Sequence, residues 1–138
     1  TNVVNACLNQ KKPPLLIYLS SVAAIGRSIN EDFVNEDTPW SQNKVASYYA
    51  LTKYAAELEV WRGKEEGLTV IILNPSVVCG VSNWSKSSTL LFKNVYDGLY
   101  FYPSGSINIV DVRDVAKASL LLYEKKIFNQ RFILSGHM

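Results

Sequence analysis

The chain has 138 residues, of which 48% are hydrophobic and 19% charged, and its formal net charge is +2. These values are typical of one soluble globular domain and exclude an intrinsically disordered protein. The small net charge gives no argument for binding nucleic acid or an anionic membrane, and no apolar run is long enough to span a bilayer. Two separated cysteines, Cys7 and Cys79, and one histidine make no metal cluster and predict reduced thiols in a cytoplasmic protein.

Hydrophobic spacing along the chain predicts helices and strands that alternate. The predicted helices, bounded by Gly, Pro or polar residues, lie at about 1–10, 47–66, 88–96 and 112–125. The predicted strands are short apolar runs at 15–20, 68–74, 99–103, 106–110 and 130–134. This alternation favours right-handed crossovers, and therefore an α/β fold in which a mostly parallel sheet has helices on both faces.

The segments between these elements are predicted to be loops. Residues 27–46 are expected to form a long surface loop, and residues 75–80 a loop beyond the carboxyl end of the strand at 68–74. The helix at 47–66 is expected to turn one stripe toward the core, which consists of Leu51, Ala55, Leu58 and Trp61.

One pair of residues in the helix at 47–66 suggests chemistry. Tyr49 and Lys53 are four residues apart, so they lie on one helix face about one turn from each other. A free phenol is a poor base at neutral pH, and an ammonium group held within a few Å favours the phenolate. The pair also arises by chance in a chain of this composition, in which case Tyr49 is a half-buried helix residue and Lys53 a solvated charge.

The predicted topology favours the chemical interpretation. In open α/β sheets, ligands bind beyond the carboxyl ends of the strands. Ser20 and Ser21 follow the first strand, residues 75–80 follow the second, and the helix that carries Tyr49 begins at the same edge. The sequence therefore predicts that a hydroxyl, a phenol, an ammonium and a backbone loop meet at one edge of the sheet.

Six short stretches, found in a fixed order, connect the chain to a known family. They are NVVNAC at 2–7, YLSSVAAIG at 18–26, EDTP at 36–39, YALTKYAAE at 49–57, NPSVVCG at 74–80 and INIVDVRDVA at 107–116. With these stretches the chain resembles the extended short-chain dehydrogenase/reductase superfamily, the NAD-dependent epimerase/dehydratase family, and within it the dihydroflavonol-reductase-like branch. The resemblance covers nearly the whole chain and implies a partial Rossmann-like, doubly wound parallel sheet.

The resemblance implies a catalytic role for three residues. Tyr49 would exchange a proton with the substrate oxygen while a hydride moves at the nicotinamide. Lys53 would bind the nicotinamide ribose and stabilise the Tyr49 phenolate, and Ser21 would bond the same substrate oxygen. Without the resemblance, Ser21 is interpreted as a turn residue at the end of a strand.

The resemblance also implies a cofactor site that holds NAD or NADP, with NADP favoured by the likeness to reductases. Tyr49 and Lys53 belong to this site as well. Its other expected members are Ser20, Pro75, Ser76 and Val78, whose backbone around 75–78 would meet the nicotinamide carboxamide. No metal ligand is implied.

The implied activity is NAD(P)-dependent reduction of a ketone or aldehyde. Val22 and Ala23 stand where sugar 4,6-dehydratases carry an Asp-Glu pair, which argues against dehydration. A nucleotide-sugar epimerase of the same superfamily is the alternative, and its substrate would be a nucleotide sugar. A non-catalytic dinucleotide-sensing or scaffold protein is the alternative from another class, although such proteins typically lack the Tyr or the Lys.

The Gly-rich turn by which this family binds pyrophosphate is not found among the seven glycines. We therefore expect the chain to be a fragment, with the C-terminal half of a dinucleotide-binding domain at about 1–80 and 107–125. Parts of a substrate-binding region are expected at about 81–106 and 126–138. Such a fragment is expected to be inactive alone and to associate through an exposed apolar face or as a homodimer, with no nucleic acid or membrane as partner.

Overall fold

A computed structural model describes residues 1–26, 34–40, 47–81, 89–98, 101 and 107–136. The helices are α1 (Asn2–Leu8), α2 (Tyr48–Glu65), α3 (Thr89–Tyr96) and α4 (Val112–Glu124), and a short 3-10 helix covers Val22–Ala24. The strands are β1 (Leu16–Leu19), β2 (Val70–Pro75), β3 (Val77–Cys79), β4 (Ile109–Asp111) and β5 (Gln130–Leu134).

The main sheet has the order β1-β2-β5, and both pairings are parallel. Tyr18 is opposite Ile72, which in turn is opposite Arg131, so these three side chains share a face of the sheet. Every residue of the central strand β2 is buried. The predicted parallel α/β fold is therefore confirmed, and β2 is buried and uncharged as predicted, whereas Ile17 and Leu19 of β1 are exposed and β5 contains Arg131.

One face of the sheet carries α1 and α2. Its core joins Val70 and Ile72 of β2 to Val4 of α1, Val60 of α2 and Leu68. α4 contacts β2, whose Ile71 and Leu73 point to the opposite face and are fully buried. Helices thus cover both faces, as predicted.

The buried stripe of α2 differs from the predicted one. Glu57, Val60 and Gly63 are its buried residues, whereas Ala55 and Leu58 are exposed. The prediction holds for Trp61, which packs partly buried against the core, and is wrong for Ala55 and Leu58, because α2 also turns a carboxylate and a glycine inward. Gly63 allows α1 to approach closely, and Glu57 has polar partners that are described below.

Gly63 provides a stability test of the contact between α1 and α2. A Cβ added at Gly63 would lie 2.6 Å from Cγ1 of Val4, and Val is stiff about χ1. We expect Gly63→Ala to lower the free energy of unfolding by about 1–2 kcal/mol, although Ala is the better helix former by about 1 kcal/mol. Urea unfolding measures the change. Adding Val4→Ala should recover part of the loss, and a stabilising Gly63→Ala would contradict the close packing.

Three segments differ from the sequence prediction. Residues 75–80 are not simply a loop, because Val77–Cys79 forms β3 and pairs in parallel with β4. The strand expected at 106–110 is found at Ile109–Asp111, and most of the one expected at 99–103 lies outside the described residues. Gln130–Leu134, assigned above to a substrate-binding region, lies in the main sheet beside β2. Strand pairing determines where β3, β4 and β5 form, and the paired segments are distant in sequence.

The two outer edges of the main sheet differ. At β5, the backbone N–H of Ile133 donates to Oε1 of Glu36 over 2.9 Å, so the segment 34–40 covers that edge. At β1, Leu16 and Ser20 donate to β2, which leaves the backbone groups of Ile17 and Leu19 directed to the opposite edge. The side chains of Ile17 and Leu19 are 39% and 51% exposed. The β1 edge is therefore apolar and open among the described residues.

Within the described part of the chain, no helix is both long and apolar enough to cross a membrane. The same residues contain no group of three or more His, Cys, Asp or Glu side chains that could hold a metal ion.

Candidate functional site

The amino-terminal turn of α2 carries the predicted catalytic pair. Ser47 caps the helix, because its hydroxyl accepts the backbone N–H of Ala50 over 3.2 Å. Tyr49 is the second residue of the helix and is 57% exposed, so its phenol is accessible to a ligand. Lys53 follows one turn later on the same face. The predicted arrangement of these two residues on one helix is confirmed, whereas their catalytic roles stay a prediction.

Lys53 reaches across to the carboxyl end of β1. Its Nζ donates a hydrogen bond to the backbone oxygen of Leu19 over 3.2 Å and lies 5.8 Å from the ring centre of Tyr18. The ammonium is thus held at the sheet edge where ligands bind in parallel α/β folds. An ammonium has three donors, so the bond to Leu19 leaves two for a ligand.

Tyr18 is a neighbour of the site that the sequence did not single out. Burial raises the pKa of its phenol, and the negative charges of Glu57 and, to a smaller extent, of ionised Tyr49 raise it further. Tyr18 therefore stays protonated at neutral pH and is unsuited to act as a base. The Tyr49 phenol is close enough to Tyr18 to influence its pKa, so the two rings are neighbours.

Ser21 and Ser20 follow β1 and have different environments. Ser21 caps the 3-10 helix, and its hydroxyl accepts the backbone N–H of Ala23 over 3.2 Å while its proton stays available to a ligand. Ser20 is buried, and its hydroxyl donates to Oε2 of Glu57 over 2.6 Å. The side chain of Ser20 is thus directed into the protein, and its role in cofactor binding stays a prediction.

The end of β2 has two buried polar atoms that fit the implied cofactor. Oδ1 of Asn74 and Oγ of Ser76 have no hydrogen-bond partner among the described residues. Such atoms are rare in native proteins, and a ligand or water usually satisfies them. A carboxamide has two N–H donors and one acceptor, which a carbonyl oxygen and a hydroxyl can complement. Pro75 ends β2 and Val78 lies within β3, so the predicted cofactor residues adjoin these atoms.

A buried carboxylate below the site was missed by the sequence analysis. Glu57 is 2% exposed, and its two oxygens accept four hydrogen bonds. Oε2 accepts from Ser20 over 2.6 Å and from Asn74 over 2.8 Å, while Oε1 accepts from Trp61 over 3.3 Å and from Arg131 over 3.4 Å. A signal was present, because Glu57 follows Tyr49 and Lys53 at intervals of four residues and therefore shares their helix face.

Arg131 connects this carboxylate to the segment 34–40. Its Nε donates to the backbone oxygen of Glu36 over 2.6 Å, and its second guanidinium nitrogen donates to that of Thr38 over 3.2 Å. The Arg131 guanidinium thereby joins β5 to α2 and to the segment 34–40, whose bonded residues lie 95 and 93 residues earlier in the chain. This connection holds the backbone that covers the edge of β5.

A cavity of about 620 Å³ has Glu57 among its lining residues. Its walls include Trp40, Trp61 and Arg131, and Trp40 stacks on Tyr54 with ring centres 4.3 Å apart. None of the predicted site residues lines it. The cavity is therefore separate from the site at the carboxyl ends of β1 and β2.

Comparison with known proteins finds relatives that match nearly the whole chain. Cinnamoyl-CoA reductase CAD2 of Medicago truncatula is 29% identical over 146 residues, covering 96% of this chain and 44% of that protein. The crystal structure of gox2253 is 34% identical with a TM-score of 0.84, covering 99% of this chain and 42% of that one. The chain thus spans less than half the length of these proteins.

The fold comparison extends to proteins of lower identity. A dTDP-glucose 4,6-dehydratase from Bacillus anthracis, solved in complex with NAD, has a TM-score of 0.74 at 20% identity, covering 99% of this chain and 44% of that one. That likeness concerns the fold alone and confirms the Rossmann-like prediction. A family model described as "NAD dependent epimerase/dehydratase family" matches residues 1–132. The chain therefore belongs to the NAD dependent epimerase/dehydratase family, as the six sequence stretches predicted.

Proposed function

We propose that the protein is an NAD(P)-dependent oxidoreductase that reduces a ketone or aldehyde, with Tyr49 as the acid that protonates the substrate oxygen. The observation that carries this proposal is the position of Tyr49 and Lys53. They lie one turn apart at the start of α2, and Lys53 is anchored to Leu19 at the carboxyl end of β1. The likeness to cinnamoyl-CoA reductase CAD2, a reductase by name, supports the same direction of chemistry.

Three residues would have different roles in such a reduction. Ser21 would donate its hydroxyl proton to the substrate oxygen as a hydrogen bond and orient the carbonyl. Tyr49 would transfer its phenolic proton to that oxygen as negative charge develops there, and the Lys53 ammonium would stabilise the resulting phenolate. The exposed fraction of Tyr49 leaves room for a substrate beside its ring.

A bound NADH or NADPH would supply the hydride. Asn74 and Ser76 offer the unpaired buried oxygens that suit its carboxamide, and the two free donors of Lys53 suit the hydroxyls of a ribose. The proposed dinucleotide is NAD or NADP, and NADP is favoured because the relative is a reductase by name. The proposed substrate is a small ketone or aldehyde.

We also propose that the described chain supplies the catalytic half of a larger nucleotide domain, formed by about 1–80 and 107–125 together with β5. The open edge of β1 supports this. The crossover from β1 through α2 to β2 is right-handed, and β2 lies on the side of β1 away from the open edge. Because α1 lies on the same face as α2, a right-handed crossover from an earlier strand through α1 to β1 would place that strand beside β1 at the open edge. Association of copies through this edge, or as a homodimer, is the alternative way to cover it.

The test is to follow oxidation of NADPH and NADH by the full-length protein with a panel of aldehydes and ketones. We expect reduction of at least one compound, and no turnover by residues 1–138 alone. Interconversion of a nucleotide sugar without net oxidation of the cofactor would assign the epimerase activity instead. Failure to bind either dinucleotide, or binding with neither reaction, would favour a non-catalytic sensing or scaffold protein.

A further inference from the structure

We propose that Glu57 is a positioning residue for proton transfer, because its buried carboxylate fixes Ser21 relative to the helix that carries Tyr49. This inference rests on the proposed carbonyl reduction and adds a residue to it. This carboxylate joins the elements that carry the candidate groups. α2 contributes Glu57 itself, the end of β1 contributes Ser20, and the end of β2 contributes Asn74.

The bonds to Oε2 of Glu57 are short and charge-assisted. Ser20 donates over 2.6 Å and Asn74 over 2.8 Å, in surroundings where Glu57 is 2% exposed and Asn74 fully buried. Hydrogen bonds to an ionised group are about twice as strong as those between neutral groups, and burial removes the competition from water. The carboxylate thus holds the ends of β1 and β2 at fixed distances from α2.

Asn74 transmits this constraint to Ser21. Its Nδ2 donates to Glu57 and also to the backbone oxygen of Ser21 over 3.0 Å. An ionised carboxylate and a backbone carbonyl both accept only, so they select the orientation in which the NH₂ group of Asn74 faces them. The same orientation leaves Oδ1 of Asn74 unpaired among the described residues, as it is in the structure. Glu57 therefore fixes the Asn74 amide group that holds the backbone oxygen of Ser21.

The other oxygen of Glu57 offers a matched comparison. Oε1 accepts from Trp61 over 3.3 Å and from Arg131 over 3.4 Å, and among the described residues neither partner has a hydrogen bond to a candidate catalytic residue. Trp61→Phe removes one bond to Glu57 on the side away from Ser21 and keeps the aromatic ring. If Glu57 only stabilises the fold, losing a bond at either oxygen should affect the protein in a similar way.

The experiment compares Glu57→Gln, Trp61→Phe, Ser21→Ala and the double variant Glu57→Gln/Ser21→Ala in the full-length protein. We expect Glu57→Gln to lower kcat about tenfold or more, since misplacing a reacting group by about 1 Å can cost a hundredfold. The KM for the dinucleotide should change less than about twofold, and Trp61→Phe should keep kcat within about twofold. Because Glu57 acts through Ser21, the double variant should be no slower than Ser21→Ala alone.

Several results would overturn the proposal. If the double variant loses kcat by the product of the two single losses, Glu57 and Ser21 act independently. If Trp61→Phe lowers kcat as much as Glu57→Gln does, Glu57 has only a general stabilising role. If Glu57→Gln does not fold, Asn74→Ala removes the connection to Ser21 and should displace the Ser21 backbone in a crystal structure. A crystal structure of either variant decides the question without activity: an unmoved Ser21 backbone would contradict the proposal even if the wild-type protein reduces no carbonyl.

Discussion

Tyr49→Phe is expected to lower kcat for carbonyl reduction by about 10²- to 10⁴-fold, the usual contribution of a positioned general acid. The substitution removes the phenolic hydroxyl and its proton but keeps a ring of nearly the same size at a position that is 57% exposed. Little stability should therefore be lost. Steady-state kinetics with NADPH and the best carbonyl substrate measure kcat, and fluorescence titration measures dinucleotide binding, which should change little.

Tyr48 provides a matched control for this prediction. It precedes Tyr49 in the same helical turn and is 83% exposed, and among the described residues it has no hydrogen bond to the site. Tyr48→Phe removes the same chemical group one position away and is expected to leave kcat unchanged. Full turnover by Tyr49→Phe, or equal losses in both variants, would refute the proposed role of Tyr49.

Arg131→Met is expected to lower the free energy of unfolding by about 3 kcal/mol, because it leaves the carboxylate of Glu57 buried without its cation. The side chain of Arg131 is 19% exposed and that of Glu57 2%, so the carboxylate loses the cation that offsets the cost of its burial. The variant also loses the bonds to the backbone oxygens of Glu36 and Thr38, which hold the segment over the edge of β5. Urea or thermal unfolding measures the change.

Two further variants separate charge from packing. Arg62 is also an arginine paired with glutamates, but its pairs with Glu59 and Glu66 lie at the surface, so Arg62→Met should have a much smaller effect. Adding Glu57→Gln to Arg131→Met removes the uncompensated charge and should recover part of the lost stability. If Arg131→Met costs no more than Arg62→Met, the buried pair does not contribute as proposed.

The sequence predicted the main features of the fold because they depend on local patterns. Short runs rich in apolar residues gave β1, β2 and β5, and the flanking polar, Gly and Pro residues placed α1, α2 and α4 to within a few residues. β3 was missed, since a strand of three residues has no periodicity of its own and forms only by pairing with β4. The side of α2 that is buried was also missed, because a hydrophobic scale gives a carboxylate no reason to face the core.

Some residues of the candidate site could be predicted from the sequence and others could not. Tyr49 and Lys53 were found from the sequence, because one helix turn fixes their relation, and the carboxyl ends of the strands gave Ser21 and residues 75–78 as neighbours. Glu57 and Tyr18 were not found, because their partners come from elements far apart in the chain. Asn74 is 17 residues from Glu57, and Arg131 is 74 residues away.

The amino-acid sequence by itself determined the class of fold, the family and the spacing of the tyrosine and lysine, since these follow from periodicity and from ordered motifs within single elements. Only the tertiary structure decided that one carboxylate of α2 would be buried against the ends of two strands, and that Arg131 would balance its charge. A buried charge is tolerated only where several donors converge on it, and that convergence exists once the chain has folded.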